Sequence, residues 1–310
     1  MNYALFEGCN IPVRIPQYSR SMKAVLKKLD VTLETIDDFN CCGYPARNID
    51  ESAYLLPSMR NMAIAEARGL DIFVICNCCF ASLQKTKQVL NANTQLRNKL
   101  NLILAKEGLN FTGSVSIKHF LTVLHDDIGT NKITPSLSWK FTKLSVAVIQ
   151  GCHILRPREV TLFEDSFVPR ITDKLLEILG ISSLDWRGKL ECCGAALAGI
   201  NNELSHKLLQ EKVTGAKAAG ADYIVPICSY CHLQFDTTQK EMTEPTEYDT
   251  ILPVLVYPQL IGLCLGLEPD QLGIKENNTI NQAHIDGLLA LLGPPVDKKK
   301  TKLKKKTVTC

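Results

Sequence analysis

Asp71-Ile-Phe-Val-Ile-Cys76-Asn77-Cys78-Cys79 and Asp222-Tyr-Ile-Val-Pro-Ile-Cys228-Ser229-Tyr230-Cys231 follow one pattern, a short apolar run opening into Cys-x-x-Cys. Such a run reads as a buried strand that delivers its cysteines into the turn beyond its end. Working outward, each Cys-x-x-Cys is preceded by a vicinal pair, Cys41-Cys42-Gly43 and Cys192-Cys193-Gly194, and before that by a single Cys9 or Cys152. The single cysteine lies 32 residues ahead of the pair in the first half and 40 in the second; from the pair to the Cys-x-x-Cys it is 34 and 35. Ten of the 13 cysteines therefore belong to two copies of one arrangement, the signature of an internal repeat.

The flanks repeat too. Tyr3-Ala-Leu-Phe-Glu-Gly-Cys9 pairs with Val146-Ala-Val-Ile-Gln-Gly-Cys152, each an apolar strand pattern ending in Gly-Cys. Ala53–Arg68 and Glu203–Ala219 suit amphipathic helices stopping at Gly69 and Gly220. A broken helix is expected over Phe80–Lys106 and a helix over His232–Glu241. Each half then adds an apolar stretch and helix, Val115–Asp127 and Pro253–Leu265. Strand alternating with helix implies an α/β fold: two pseudo-symmetric cysteine-rich domains, each with a small, mainly parallel sheet flanked by helices. The polar segment Gly129–Lys143 is expected to divide the chain into domains 1–135 and 136–293, followed by a disordered lysine-rich tail, 294–310.

Composition bounds the function. The chain has 310 residues, 45% of them apolar, enough for sizeable cores. The net charge of +3 comes from the tail: Lys298–Lys306 holds seven lysines, and without them 28 basic residues face 32 acidic ones. No basic face interleaved with aromatics suggests nucleic-acid binding. The tail reads as a solvated end, with docking to an acidic partner or anionic membrane surface as the sharper alternative. Thr250–Leu267 is uncharged but contains Pro253, Pro258 and two glycines, so a buried strand and helix explain it better than a membrane span. Met1–Pro16 has no signal-peptide pattern, and a cytoplasmic protein with reduced thiols is expected.

Parallel sheets place functional groups in the loops after their strands. Cys9, Cys41, Cys42, Cys76 and Cys79 should therefore gather in one place, and Cys152, Cys192, Cys193, Cys228 and Cys231 in another. The glycine after each vicinal pair is expected to let backbone approach a metal closely. Zinc or a cubane cluster needs four ligands. Five ligands with a vicinal pair, whose side chains diverge, favour an extended iron–sulfur assembly over mononuclear zinc. Structural disulfides fit a reducing compartment least.

Three cysteines stand outside the repeat. Cys78 could substitute for a ligand or pack nearby, Cys264 reads as core, and Cys310 as incidental. His153, beside Cys152, is the candidate proton source, or else a group that tunes the metal centre. His232 reads as structural, and His119 and His125 as ordinary residues of a helix-like segment. Arg156 and Lys207 are either anion-binding residues or solvated surface.

With Gly151-Cys-His-Ile-Leu-Arg-Pro157 and Pro226-Ile-Cys-Ser-Tyr-Cys-His-Leu-Gln-Phe-Asp236, the doubled pattern strongly resembles the B subunit of heterodisulfide reductase over about Met1–Gly266. The resemblance implies two non-cubane [4Fe–4S] clusters, each held by the five cysteines of one repeat; zinc in one half stays open. It implies that a disulfide binds between the clusters and is split by one-electron steps, each sulfur captured by one cluster. The absence of a Gly-x-Gly-x-x-Gly fingerprint leaves electrons to come from partners, implied to be a ferredoxin-like C subunit and a flavin-carrying A subunit. The substrate would be the CoB–CoM heterodisulfide or an analogous thiol disulfide. The alternatives are a non-catalytic electron relay, a relative acting on a persulfidic carrier, or a zinc-stabilised structural module. Cys78, and Cys42-Gly-Tyr-Pro45, depart from the pattern associated with the methanogen enzymes.

Overall fold

The computed structural model describes residues 1–243 and 251–296. Most of the lysine-rich tail, Cys310 and the first residue of the uncharged stretch lie outside the described residues.

Two parallel sheets carry the fold. Strands β1 (Asn2–Phe6), β2 (Thr32–Thr35), β3 (Asp71–Val74) and β4 (Ile117–His119) are ordered β2-β1-β3-β4, and β5 (Leu144–Ile149), β6 (Ile181–Ser183) and β7 (Tyr223–Pro226) are ordered β6-β5-β7. The place of β4 is taken in the second sheet by a single parallel bridge between Ile224 and Val254. Register is conserved between the copies: Tyr3 pairs with Asp71, and Val146, its counterpart, with Tyr223. The central strands are buried nearly throughout, which explains their uninterrupted apolar runs.

The loops carrying the vicinal cysteines repeat almost bond for bond. In each, two consecutive N–H groups, of Ile49 and Asp50 or Ile200 and Asn201, turn back onto one carbonyl, Ala46 or Leu197. Asp50 then caps the helix Glu51–Ala67 by accepting from the Ala53 N–H at 2.6 Å, and Asn201 caps Asn202–Ala218 by accepting from Leu204 at 3.0 Å. Such caps satisfy amides that the first turn leaves without partners. Gly43 and Gly194 have φ of +82° and +83°. A Cβ on Gly43 would lie 2.3 Å from the Tyr54 carbonyl oxygen. The glycine thus serves a left-handed turn against the following helix, and its backbone also comes close to an expected ligand: the Gly194 N–H donates to Cys192 Sγ at 3.4 Å.

Other differences have local causes. The helix after β3 breaks at Asn93, whose side chain leaves the first segment, Asn77–Ala92, to cap Thr94–Leu104. His119 closes strand β4 rather than lying on a helix, and His125 sits in a π-helical turn, Val123–Gly129. The segment expected to be a linker is folded: Thr130–Ser136 is helical, and the Ser138 and Trp139 N–H groups both bond the Cys264 carbonyl.

Cys264 is fully buried at the end of helix Tyr257–Cys264, which packs on helix Pro16–Lys28 of the first repeat. Tyr18 donates from that helix to the Ile227 carbonyl at 3.0 Å. The two repeats thus share one hydrophobic core, and no helix among the described residues is long and apolar enough to cross a membrane.

Candidate functional site

All four chemistry-bearing strands deliver their cysteines at the same edges. Cys9 and Cys152 follow β1 and β5; Cys76 and Cys228 follow β3 and β7 and cap the next helices. Every described cysteine is a free thiol.

The structure brings each expected quintet together as a chain of sulfur–sulfur hydrogen bonds. In the first repeat Cys9 and Cys42 donate to Cys41, and Cys79 to Cys42 and Cys76. In the second, Cys152 and Cys193 donate to Cys192, and Cys231 to Cys193 and Cys228; the Cys231–Cys193 Sγ distance is 3.2 Å. Cys9 and Cys192 are exposed, whereas Cys42, Cys76, Cys79, Cys193, Cys228 and Cys231 are buried. The chains meet where the Sγ atoms of Cys76, Cys78 and Cys228 lie within 4.8 Å of one another.

This arrangement stabilises charge unevenly. Cys41 is held down at about 2 by hydrogen bonds from Cys42 and then Cys9; Cys192 is held down at about 2 by bonds from Cys152 and then Cys193. Cys42 and Cys193 are pushed up to about 12, first by the bonds they give those thiolates. A thiol set this dense ionises fully only around a positive centre, and soft thiolates select zinc or iron–sulfur groups. Buried Asn77 Oδ1 and both side-chain polar atoms of Gln150 lack protein partners, and the Ser229 hydroxyl has only the Cys76 sulfur within reach. They flank Cys228, Cys76 and Gly151-Cys152. Of these, the Gln150 Nε2 amide and the Ser229 hydroxyl can donate to a cluster's sulfides, and such outer hydrogen bonds orient and tune these groups. The residues present fit an iron–sulfur group in each repeat.

His153 sits at the seam. Its Nδ1 is 3.4 Å from Cys78 Sγ and 3.7 Å from Cys152 Sγ, and its Nε2 is 3.2 Å from the Tyr44 hydroxyl. Burial, then the neighbouring Arg47 charge, hold the imidazole below its ordinary pKa, and burial raises Tyr44 to about 12. The Tyr44 hydroxyl, protonated throughout the neutral range, holds Nε2 and so turns Nδ1 toward sulfur.

A cavity of about 500 Å³ opens beside this histidine, lined by Tyr44, Arg47, Tyr54, Lys85, Cys152, His153 and Arg156 among others. Among the described residues, three cations and no carboxylate line it. Arg156 therefore lies where an anion would bind, whereas Lys207 is exposed on its helix and lines none of the described cavities. His232 is fully buried, its ring edge against Tyr18 and its Nε2 3.7 Å from Asp236 Oδ2, away from the cavity lining. His119 is packed among Phe80, Phe120 and Phe163. Sequence reasoning missed Tyr44, Arg47 and Lys85. The first two were within reach, because they belong to the loop that follows Cys41-Cys42-Gly43.

The CCG cysteine-rich domain family matches residues 3–84 and again 146–236. The copies so delimited are those the two sulfur chains define. This chain belongs to the family of heterodisulfide reductase B subunits. It is 33% identical, over 88% of its length and 92% of the relative's, to the B subunit of a ferredoxin/F420H2-dependent CoB–CoM heterodisulfide reductase of Methanosarcina acetivorans. It is equally similar, at 33% over 87% and 93%, to a protein of Archaeoglobus profundus named for its likeness to the heterodisulfide reductase B subunit. At 28% identity it also matches the membrane anchor subunit of an 8-methylmenaquinol:fumarate reductase of Wolinella succinogenes, over 89% of this chain and 96% of that one. A solved hypothetical protein from Helicobacter pylori shares the fold, with a TM-score of 0.68 at 15% identity over 90% of this chain and 52% of that chain. Members of this B-subunit family are parts of reductase assemblies, and the described thiols give this member the equipment for redox work.

Proposed function

We propose that this chain is the disulfide-reducing subunit of a heterodisulfide reductase-like complex in the cytoplasm. Cys9, Cys41, Cys42, Cys76 and Cys79 would hold one non-cubane [4Fe–4S] cluster, and Cys152, Cys192, Cys193, Cys228 and Cys231 the other. When bound, such clusters supply single electrons and iron sites that accept sulfur. The observation that carries the reading is the cavity rimmed by Arg47, Lys85 and Arg156, which reaches Cys152 and His153; the His153 ring lies 3.4 Å from Cys78 Sγ, one of the three thiols at which the two sulfur chains meet.

The remaining chemistry belongs to the protein's own side chains. Arg156, Arg47 and Lys85 bind the anionic ends of a disulfide and hold its sulfur atoms toward the seam; guanidinium pairs best with planar anions. Tyr54, Pro157 and Val160 cover the apolar arm and exclude water. In its protonated form His153 directs Nδ1–H at sulfur and yields that proton to a departing thiolate, returning to the neutral imidazole; the Tyr44 hydroxyl at Nε2 fixes the ring in that orientation. Electrons come from a ferredoxin-like iron–sulfur partner of the C-subunit kind, itself served by a flavoprotein of the A-subunit kind.

The test is anaerobic purification followed by metal analysis and assay. Iron and acid-labile sulfide near four per repeat, with viologen-driven reduction of an anionic disulfide to two thiols, are expected. Zinc in place of iron, or full cluster content with no turnover of disulfides and rapid electron passage to another acceptor, would contradict the reading.

A further inference from the structure

Cys78 is the one thiol of the site that the repeat does not require. It follows Asn77 in helix Asn77–Ala92, one residue before Cys79. Consecutive helical side chains diverge by about 100°, so the two neighbours cannot serve the same centre equally. Cys79 turns toward Cys42 and Cys76 of its own repeat. Cys78 points into the seam: its Sγ lies within 4.8 Å of both Cys76 and Cys228 and meets His153 of the second repeat at 3.4 Å.

The equivalent position in the second repeat behaves in mirror fashion. Tyr230 stands where Cys78 does, and its hydroxyl reaches Asn10, the residue after Cys9 as His153 is the residue after Cys152. The inner position of each Cys-x-x-Cys thus crosses the seam to the opposite repeat. In one direction it carries a phenol, in the other a thiol.

A small cavity of about 40 Å³ shows where that thiol arrives. Its lining includes Cys78 together with Cys152, Cys192, Cys193, Cys228 and Cys231, the complete second quintet, and none of Cys9, Cys41, Cys42, Cys76 or Cys79.

We propose that Cys78 is a sixth sulfur ligand of the second repeat's centre, donated across the seam by the first repeat. This rests on the reading of that centre as iron–sulfur. The two centres are then unequal: the first has five thiols, the second six, and a sulfur atom entering the second must compete with Cys78 or displace it.

The experiment uses the full chain purified anaerobically, with iron and sulfide measured and the paramagnetic signals recorded at poised potentials. Cys41→Ser marks the signal of the first centre and Cys192→Ser that of the second. Cys78→Ser is expected to shift the g-values of the signal marked by Cys192→Ser and to leave the signal marked by Cys41→Ser in place. Cys78→Ala, which removes the ligand atom, should do the same with a larger shift or selective loss of that signal. Lys207→Ala, an exposed control outside that cavity, should leave both signals unmoved. A Cys78→Ser spectrum superimposable on wild type, a shift confined to the first centre, or equal loss of both would overturn the assignment. Iron present with a silent Cys78→Ser sinks only this assignment; a wild-type protein without iron sinks the functional reading as well.

Discussion

The two repeats hold sulfur on the same strands and turns and differ in the side chains that face the cavity beside it. Tyr44 and Arg47 in the first vicinal-cysteine loop correspond to Ala195 and Ala198 in the second, and Asn10 corresponds to His153. The described 500 Å³ cavity is built from the richer member of each pair, the first repeat's loop and the second repeat's turn. A cavity built from the other members would be lined by alanines and an asparagine. Duplication supplied two sulfur cradles, and divergence left one side equipped for binding anions and moving protons.

The largest effect should come from the shared part. Cys42→Ala and Cys193→Ala each remove a buried link of one sulfur chain, and disulfide reduction should fall beyond the roughly 10–100-fold typical of losing an outer partner of a metal ligand. Full turnover with both centres retained would break the equivalence of the two quintets. The unshared part comes next. Arg156→Ala should lower kcat/KM for an anionic disulfide by about 10–100-fold, as expected for a charged hydrogen bond of about 1.5–3 kcal/mol. An uncharged disulfide should be affected far less.

Acid should also distinguish the halves. Burial lowers His119 from 6.5 to about 3, whereas Asp236 partly offsets the burial that lowers His232. The unfolded imidazole takes a proton below 6.5 and the buried His119 only near 3, so unfolding takes up a proton between those values and stability falls as pH falls. His119 alone should cost about 2 kcal/mol at pH 5. Denaturant midpoints measured from pH 7 to 5 should flatten more in His119→Phe than in His232→Phe.

Smaller changes sharpen the contrast. Arg47→Ala removes a charge that holds His153 down, so the alkaline limb of the pH–rate profile, where the donor imidazolium loses its proton, should move to higher pH. Tyr44→Phe should cost about fivefold in rate, the worth of one neutral hydrogen bond near 1 kcal/mol. Ala198→Ser, at the counterpart of Arg47, should change neither rate nor profile.

Much of this was legible in the sequence because spacing and strand patterns are local. The ten cysteines follow from their intervals, and the parallel strands from apolar runs that need no partner to be recognised. Strands β2 and β6 escaped because Thr-Leu-Glu-Thr and Ile-Ser-Ser are short edge segments with no clear alternation. Thr130–Ser136 passed for a linker because its helix is short and its neighbours polar. Tyr44 and Arg47 escaped for a different reason. Their role depends on how one repeat faces the other, which no periodicity within either repeat encodes. Cys78 shows the same limit, since its direction follows only once the helix is known to begin at Asn77.

The account turns on two iron–sulfur centres meeting at one seam, with Cys76 and Cys228 thiols of opposite repeats within 4.8 Å. Electron paramagnetic resonance of the anaerobic protein, poised so that both centres are paramagnetic, tests this most directly. The account predicts a spectrum split or broadened by mutual interaction, simplifying to one isolated signal in Cys42→Ala. Two independent signals that merely add, or no iron signal at all, would contradict it.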